Sequence, residues 1–279
     1  VRIRHLLSTK FFESAHGRIA DTDSHNGSHP LIFMHGLPTA KELWQPILPH
    51  LTADFRCITF DLNDYGESEK IGRPITHQER ADVLDELRAY LGLPQFNLVA
   101  HDLGSSVAMD YMGTYGRFVQ KLVIMSPPVY PDFKEPFIVK LVRVRGLGEV
   151  LVRVIRPLLF NIGIKQGLVH KENFTPDLLH AFAGPFSDKV GQAALLRNLR
   201  WGRPFHVFRD YPQIIQSITA PTLIIQGRHD PYIPHNQVER MHQAITNSRL
   251  SYIEDGSHFL PIDTPEAIEQ EINFFIRKL

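Results

Sequence analysis

A single cysteine, Cys57, in a chain of 279 residues removes two explanations at once. One thiol closes no internal disulfide and builds no thiolate metal site; this usage fits a reducing compartment, and a cytoplasmic location is expected. An excess of charge of one sign is also missing. Thirty basic residues balance thirty acidic ones, so nothing in the charge calls for nucleic acid. No apolar run is long enough to span a bilayer. The opening VRIRHLLSTKFFES is too short in apolar residues for a signal peptide, although a chain that begins with Val is compatible with a trimmed leader. Repeats and low-complexity tracts are lacking. His25 and His29 stand four apart, but in a polar, glycine-containing connection, so neither a metal site nor a cofactor is expected.

What is present is a large core-forming fraction, 43% hydrophobic, in a regular alternation. Phe11 to Asp23 reads as two strands joined at His16-Gly17. LIFMHG, RCITFDL, FNLVA, VQKLVIMS, APTLIIQG and SRLSYIED read as further strands, with Cys57 buried in the second of these. Helical spacing runs from Thr76 to Leu91, through SSVAMDYM, and from Pro265 to Leu279. This alternation predicts an α/β fold with a mostly parallel sheet covered by helices. Between Pro127 and about Pro212 the rhythm breaks into helical intervals without strands. The expected division is therefore a core of residues 1–126 and 213–279 with a helical lid of 127–212 inserted after the sixth strand, over the strand ends where ligands bind in such sheets.

The stretch LVAHDLGSSVAMDY places Asp102 between the strand FNLVA and a helix. A residue at such a turn is exposed and borders free backbone N–H groups. The position often carries the serine of Gly-x-Ser-x-Gly, but here it reads Ala100-His101-Asp102-Leu103-Gly104, with the small flanks that a tight turn requires. Ser106, in the overlapping Gly104-Ser105-Ser106, falls inside the helix and lacks the exposed tip. On its own, Asp102 also suits a helix N-cap.

With HGLP (35–38), DLNDYGES (61–68), AHDLG (100–104), GRHDPYIP (227–234) and GSHFLPIDTPE (256–266) in this order, the chain resembles the α/β-hydrolase superfamily over nearly all its length. It is most similar to the aspartate-nucleophile branch of epoxide hydrolases and haloalkane dehalogenases. The resemblance implies that Asp102 attacks an electrophilic carbon to give an alkyl-enzyme ester. His258, oriented by Asp230, then activates water, and the backbone N–H groups of Leu37 and Leu103 form an oxyanion hole. His35 and His101 are expected to brace the site, and Asp61 to support loops.

The pattern departs from both named activities. Dehalogenases of this kind hold halide with a Trp after the nucleophile and often an Asn in the first motif; Leu103 and Leu37 occupy those places. Epoxide hydrolases use lid tyrosines as acids, for which Tyr211, His206 and Tyr130 are the candidate donors. Hydrolysis of a small apolar epoxide is the leading expectation. The alternatives are a haloalkane dehalogenase-like hydrolase, a serine-type esterase or lactonase using Ser105 or Ser106, and a non-catalytic ligand-binding protein. The lid also carries Lys140, Arg143, Arg145, Arg153 and Arg156 against the single acid Glu149 in the run from Pro136 to Phe160. This reads as a helix burying its apolar face with basic chains outward, and a contact with a membrane surface is the sharper alternative.

Overall fold

The computed structural model describes residues 7–278, without the side chains of residues 155–157, so the expectations placed on the first six residues and on Arg156 lie outside the described residues. Eight strands form one sheet: β1 (Lys10–Ser14), β2 (Gly17–Asp23), β3 (Pro30–Met34), β4 (Arg56–Phe60), β5 (Phe96–His101), β6 (Val119–Met125), β7 (Thr222–Gly227) and β8 (Ser248–Ile253). Their spatial order is β1-β2-β4-β3-β5-β6-β7-β8. The first two pairings, β1 with β2 and β2 with β4, are antiparallel, and every later pairing is parallel. Strands β5 and β7 are buried at every position, as expected of strands covered on both faces.

Local chemistry explains the helix bounds. Thr76 caps the His77–Tyr90 helix in a reciprocal box: its hydroxyl accepts from the Glu79 N–H while the Glu79 carboxylate accepts from the Thr76 N–H. Gly92 at φ +65° ends it. In the last helix, Pro265–Arg277, Ile268, Ile272 and Ile276 recur every four residues and are the buried ones. The helix His235–Ala244, which escaped the strand-and-helix reading, buries Val238 and Met241 beside β7 and β8.

Between β6 and β7 the described residues form helices and no strand: Phe137–Arg143, Leu147–Gln166, Pro176–Ala183, Lys189–Arg200, Pro204–Val207 and Tyr211–Ser217. The boundary drawn at residue 212 falls inside the last of these. That helix packs on the core helix Leu103–Tyr115, where Gly113 leaves room for Ile214. The basic lid segment also differs from its expectation. On the Leu147–Gln166 helix, Leu147, Val150, Val154, Leu158 and Ile162 are exposed, while Val152, Phe160 and Ile164 face inward. Arg143 turns in as well, donating to the Gly202 carbonyl and pairing with Glu135. A segment apolar on more than one face cannot bury all of it, so the lid leaves a stripe outside. Among the described residues no helix is long and apolar enough to cross a membrane.

Candidate active site

Strand β5 delivers Asp102 to the sheet edge, and the backbone there is forced. Asp102 sits at φ +51°, ψ −118°, a conformation that L-residues avoid and that costs on the order of 1–3 kcal/mol. The strain is sustained by close approach on both sides. A Cβ on Gly36 would lie 2.5 Å from the Asp102 Cβ, and one on Gly104 would lie 2.4 Å from the Met34 carbonyl oxygen. The Asp102 N–H is tied to the Met125 carbonyl at 3.0 Å. Asp102 does not cap its helix in the usual way, with no side-chain bond to the second or third N–H; its carboxylate accepts the Leu37 N–H at 2.8 Å. The Leu103 N–H also donates to it.

Three side chains converge. His258 Nε2 stands 3.6 Å from Asp102 Oδ2, and His258 Nδ1 is 2.9 Å from Asp230 Oδ2. Asp230 is fixed by the N–H groups of Tyr232 and Ile233 at 2.8 and 3.0 Å, so its carboxylate aims at the imidazole. Burial alone would lower the His258 pKa, but Asp230 and Asp102 outweigh it and push it up to about 10. The same pairing holds Asp102 and Asp230 below the usual carboxylate range although burial works the other way. The two carboxylates thus favour the protonated imidazole between them.

The two bracing histidines are neutral. Burial drives both His35 and His101 down to about 4. His35 Nδ1 donates to the Gly36 carbonyl and its Nε2 accepts the Leu62 N–H at 3.0 Å, joining the loops after β3 and β4. His101 Nε2 donates to the His258 carbonyl at 2.9 Å, joining β5 to the histidine loop. Asp61 is tied to Lys41 and to the backbone of its own turn. Both serines of the overlapping motif are fully buried: Ser105 Oγ donates to the Met125 carbonyl and Ser106 Oγ to the Pro128 carbonyl at 2.6 Å. Neither hydroxyl meets an imidazole.

A cavity of about 260 Å³ opens on Asp102 and His258. Leu37, Leu103 and Phe259 line it from the core, and Val139, Phe160 and Trp201 from the lid. None of the three expected lid donors is on its wall. The Tyr211 hydroxyl donates to Asp110 and accepts from His77 Nδ1 at 2.9 Å, which holds it in the seam between its helix and the core. His206 is exposed next to Phe205. Tyr130 is buried under the Arg240 guanidinium, 3.9 Å from its ring centre. The polar groups that do reach the cavity are others, chiefly Tyr65, Arg80, Asn198 and Trp201. Tyr65 comes from DLNDYGES. It is 1% exposed and lines the cavity. Burial raises its pKa against the Arg80 charge, and Asp64 and, to a lesser degree, Asp102 add to the rise. Nothing in the spacing of that motif says which way the ring faces.

Comparison with known proteins identifies the family of the fold. A haloalkane dehalogenase from Sphingobium indicum is 29% identical over 293 aligned positions, covering 97% of this chain and 95% of its own length. Epoxide hydrolase 2 of Caenorhabditis elegans is 23% identical, covering 89% and 74%. Among solved structures, the haloalkane dehalogenase DbeA from Bradyrhizobium elkani superposes with a TM-score of 0.85 at 20% identity, over 97% of both chains, a likeness of fold. The profile of the α/β hydrolase fold family matches residues 29–147 and 170–265. The chain belongs to the α/β hydrolase fold family and is a hydrolase of that fold.

Proposed function

We propose that this hydrolase opens an epoxide ring through a covalent ester on Asp102. The observation that carries the reading is the Asp102 carboxylate itself. One oxygen is held by the Leu37 N–H, while the other borders the cavity 3.6 Å from His258. That second oxygen attacks a ring carbon, the carbon–oxygen bond breaks, and the electron pair moves to the ring oxygen, which takes the Tyr65 proton. Burial and the Asp102 charge keep Tyr65 protonated until this moment. Ester formation removes that charge and makes the proton easier to give.

The same loss of charge frees His258. With Asp102 esterified only Asp230 still supports the imidazolium, whose proton returns to the Tyr65 oxygen. The neutral imidazole then takes a proton from water, and the hydroxide adds to the Asp102 carbonyl carbon. The Leu37 and Leu103 N–H groups, already on the carboxylate, meet the oxyanion. Collapse expels the product alkoxide, which takes the His258 proton. The new Asp102 acid passes its own proton to His258 and restores the resting pair.

Leu37 and Leu103 give a departing halide no side-chain donor. Trp201 on the lid wall is the one observation that favours halide displacement by the same ester, and it makes that the second reading. A single turnover in oxygen-18 water on 1,2-epoxyhexane, followed by peptide mapping, is expected to put label into Asp102. In His258→Gln the ester is expected to accumulate. Tyr65→Phe is expected to slow ester formation about 10²–10⁴-fold on epoxide. Label in the product alone would overturn the ester. Chloride release from 1-chlorohexane without epoxide turnover would put dehalogenation first.

A further inference from the structure

Of the charged residues on the cavity wall that the proposed chemistry does not use, one is buried without an ion pair among the described residues. Arg80, from the His77–Tyr90 helix, borders the cavity yet is only 2% exposed. Its guanidinium meets neutral groups. Nη2 donates to Asn198 Oδ1 at 2.6 Å, and the Tyr65 ring centre lies 6.0 Å from Cζ. Among the described residues it forms no ion pair, and its Nε finds no acceptor; neither does Asn198 Nδ2 on the facing lid helix. The carboxylates whose fields reach it, Asp64 and Glu79, are engaged by Arg197 and Arg73.

The other cations near the cavity are accounted for. Arg143 is paired with Glu135, and Arg203 is exposed to water. Burial lowers the Arg80 pKa, but a guanidinium is not discharged in a protein. An uncompensated buried charge is strongly destabilising, so a counter-charge bound in the cavity gains what the protein leaves unfilled. Two unpaired N–H donors, Arg80 Nε and Asn198 Nδ2, are buried on residues that line the cavity, and a carboxylate supplies both the charge and the acceptor oxygens that this pair lacks.

We propose that Arg80 and Asn198 form an anion subsite inside the cavity that binds a carboxylate carried by the substrate. The substrate is then amphiphilic: a carboxylate at Arg80, an apolar chain along the cavity wall, and the electrophilic carbon at Asp102. Tyr65 neighbours both ends, through its ring at Arg80 and through the Asp102 charge felt at its hydroxyl. The wholly apolar substrate expected from the sequence gives way to an acid. For its reacting end the proposal rests on the Asp102 ester; the anion subsite itself does not.

The test separates the two. Hexanoate and hexanamide have nearly the same shape and differ in charge. Calorimetric titration of the intact protein is expected to give hexanoate at least about tenfold tighter binding, the scale of a hydrogen bond to a charged group. In Arg80→Met the preference is expected to collapse toward one, and in Asn198→Leu, which keeps the charge, to fall by less. The kcat/KM ratio of 5,6-epoxyhexanoate to its amide is expected to follow the same order. Equal binding of acid and amide by the wild-type protein overturns the subsite, whatever the variants do, including failure to fold. A clear preference for hexanoate with no ester on Asp102 from any epoxide keeps the subsite and removes the epoxide reading. Epoxide turnover with an acid-to-amide ratio near one does the reverse.

Discussion

Two aspartates end neighbouring parts of the same sheet edge, Asp61 after β4 and Asp102 after β5, and they live in opposite circumstances: Asp61 is fully buried and Asp102 is partly exposed. Asp61 accepts the Lys41 and Glu67 N–H groups at 2.7 and 2.9 Å and the Lys41 ammonium at 3.0 Å. Burial opposes its charge, but these donors hold its pKa down, and it borders no cavity. Lys41 is shared further with Glu42 and Glu67, and these carboxylates raise its pKa against the effect of burial. Asp102 has backbone donors on one oxygen and the His258 ring near the other, in a strained turn facing empty space. A carboxylate with both oxygens committed to donors stabilises a loop; one with an oxygen directed into a cavity retains reactivity. Both are aspartates following an apolar strand, so the sequence pattern alone does not separate them.

Exchanging their roles by mutation breaks the comparison most sharply. Asp102→Ala is expected to lower turnover by at least about 10⁴-fold, because the ester has no other residue on which to form. Its thermal midpoint should stay or rise, since a strained and partly unpaired charge is lost. Asp61→Asn is expected to do the opposite, unfolding earlier while the folded fraction still forms the ester. A variant of Asp102 that keeps full turnover would end the distinction.

Lys41→Met is the next largest effect. It strands Asp61 and Glu42 without their cation, and breaking a buried pair from one side costs about 3–5 kcal/mol. Urea unfolding of this variant beside the wild type measures it. A loss below about 1 kcal/mol would mean that Asp61 is held by its backbone donors alone.

The smallest expected effect is in pH, and it has opposite sign at the two places. His258 has a folded pKa near 10 against an ordinary 6.5, so its stabilisation is complete below pH 6.5 and is lost as pH rises to about 10. Asp61 is held below its ordinary 3.8, so its contribution is present above that value and is lost as pH falls. The stability difference between wild type and His258→Gln should therefore shrink on the alkaline side. The difference from Asp61→Asn should shrink on the acid side. The same direction in both would show that the two sites are not electrostatically distinct.

Much of the core was legible because its signals are local. Alternating apolar runs named all eight strands, and HDLG at the end of FNLVA marked the turn. The roles of Asp102, Asp230 and His258 came from the family resemblance of their motifs, which stand after β5, β7 and β8, and the structure brings those three side chains together. The lid was not legible in this way. Tyr211, His206 and Tyr130 were read as donors from their place in the chain, yet a seam, the solvent and an arginine stack claim them. Arg80 and His77 lie in a helix for which the sequence shows only the spacing of its apolar residues. A helical pattern shows which residues share a face, but not whether a lid will later cover that face.

The sequence by itself determined the elements and the chain positions of the turn residues, because strand burial, helix caps and glycine requirements act over a few neighbours. It also determined that an aspartate stands where a serine is common. Only the tertiary structure decided which polar side chains border the cavity and which are spent elsewhere. That choice depends on where the Lys189–Arg200 helix meets the His77–Tyr90 helix, 118 positions apart at Arg80 and Asn198. A contact over that distance comes from packing two layers together, and no local pattern of residues encodes it.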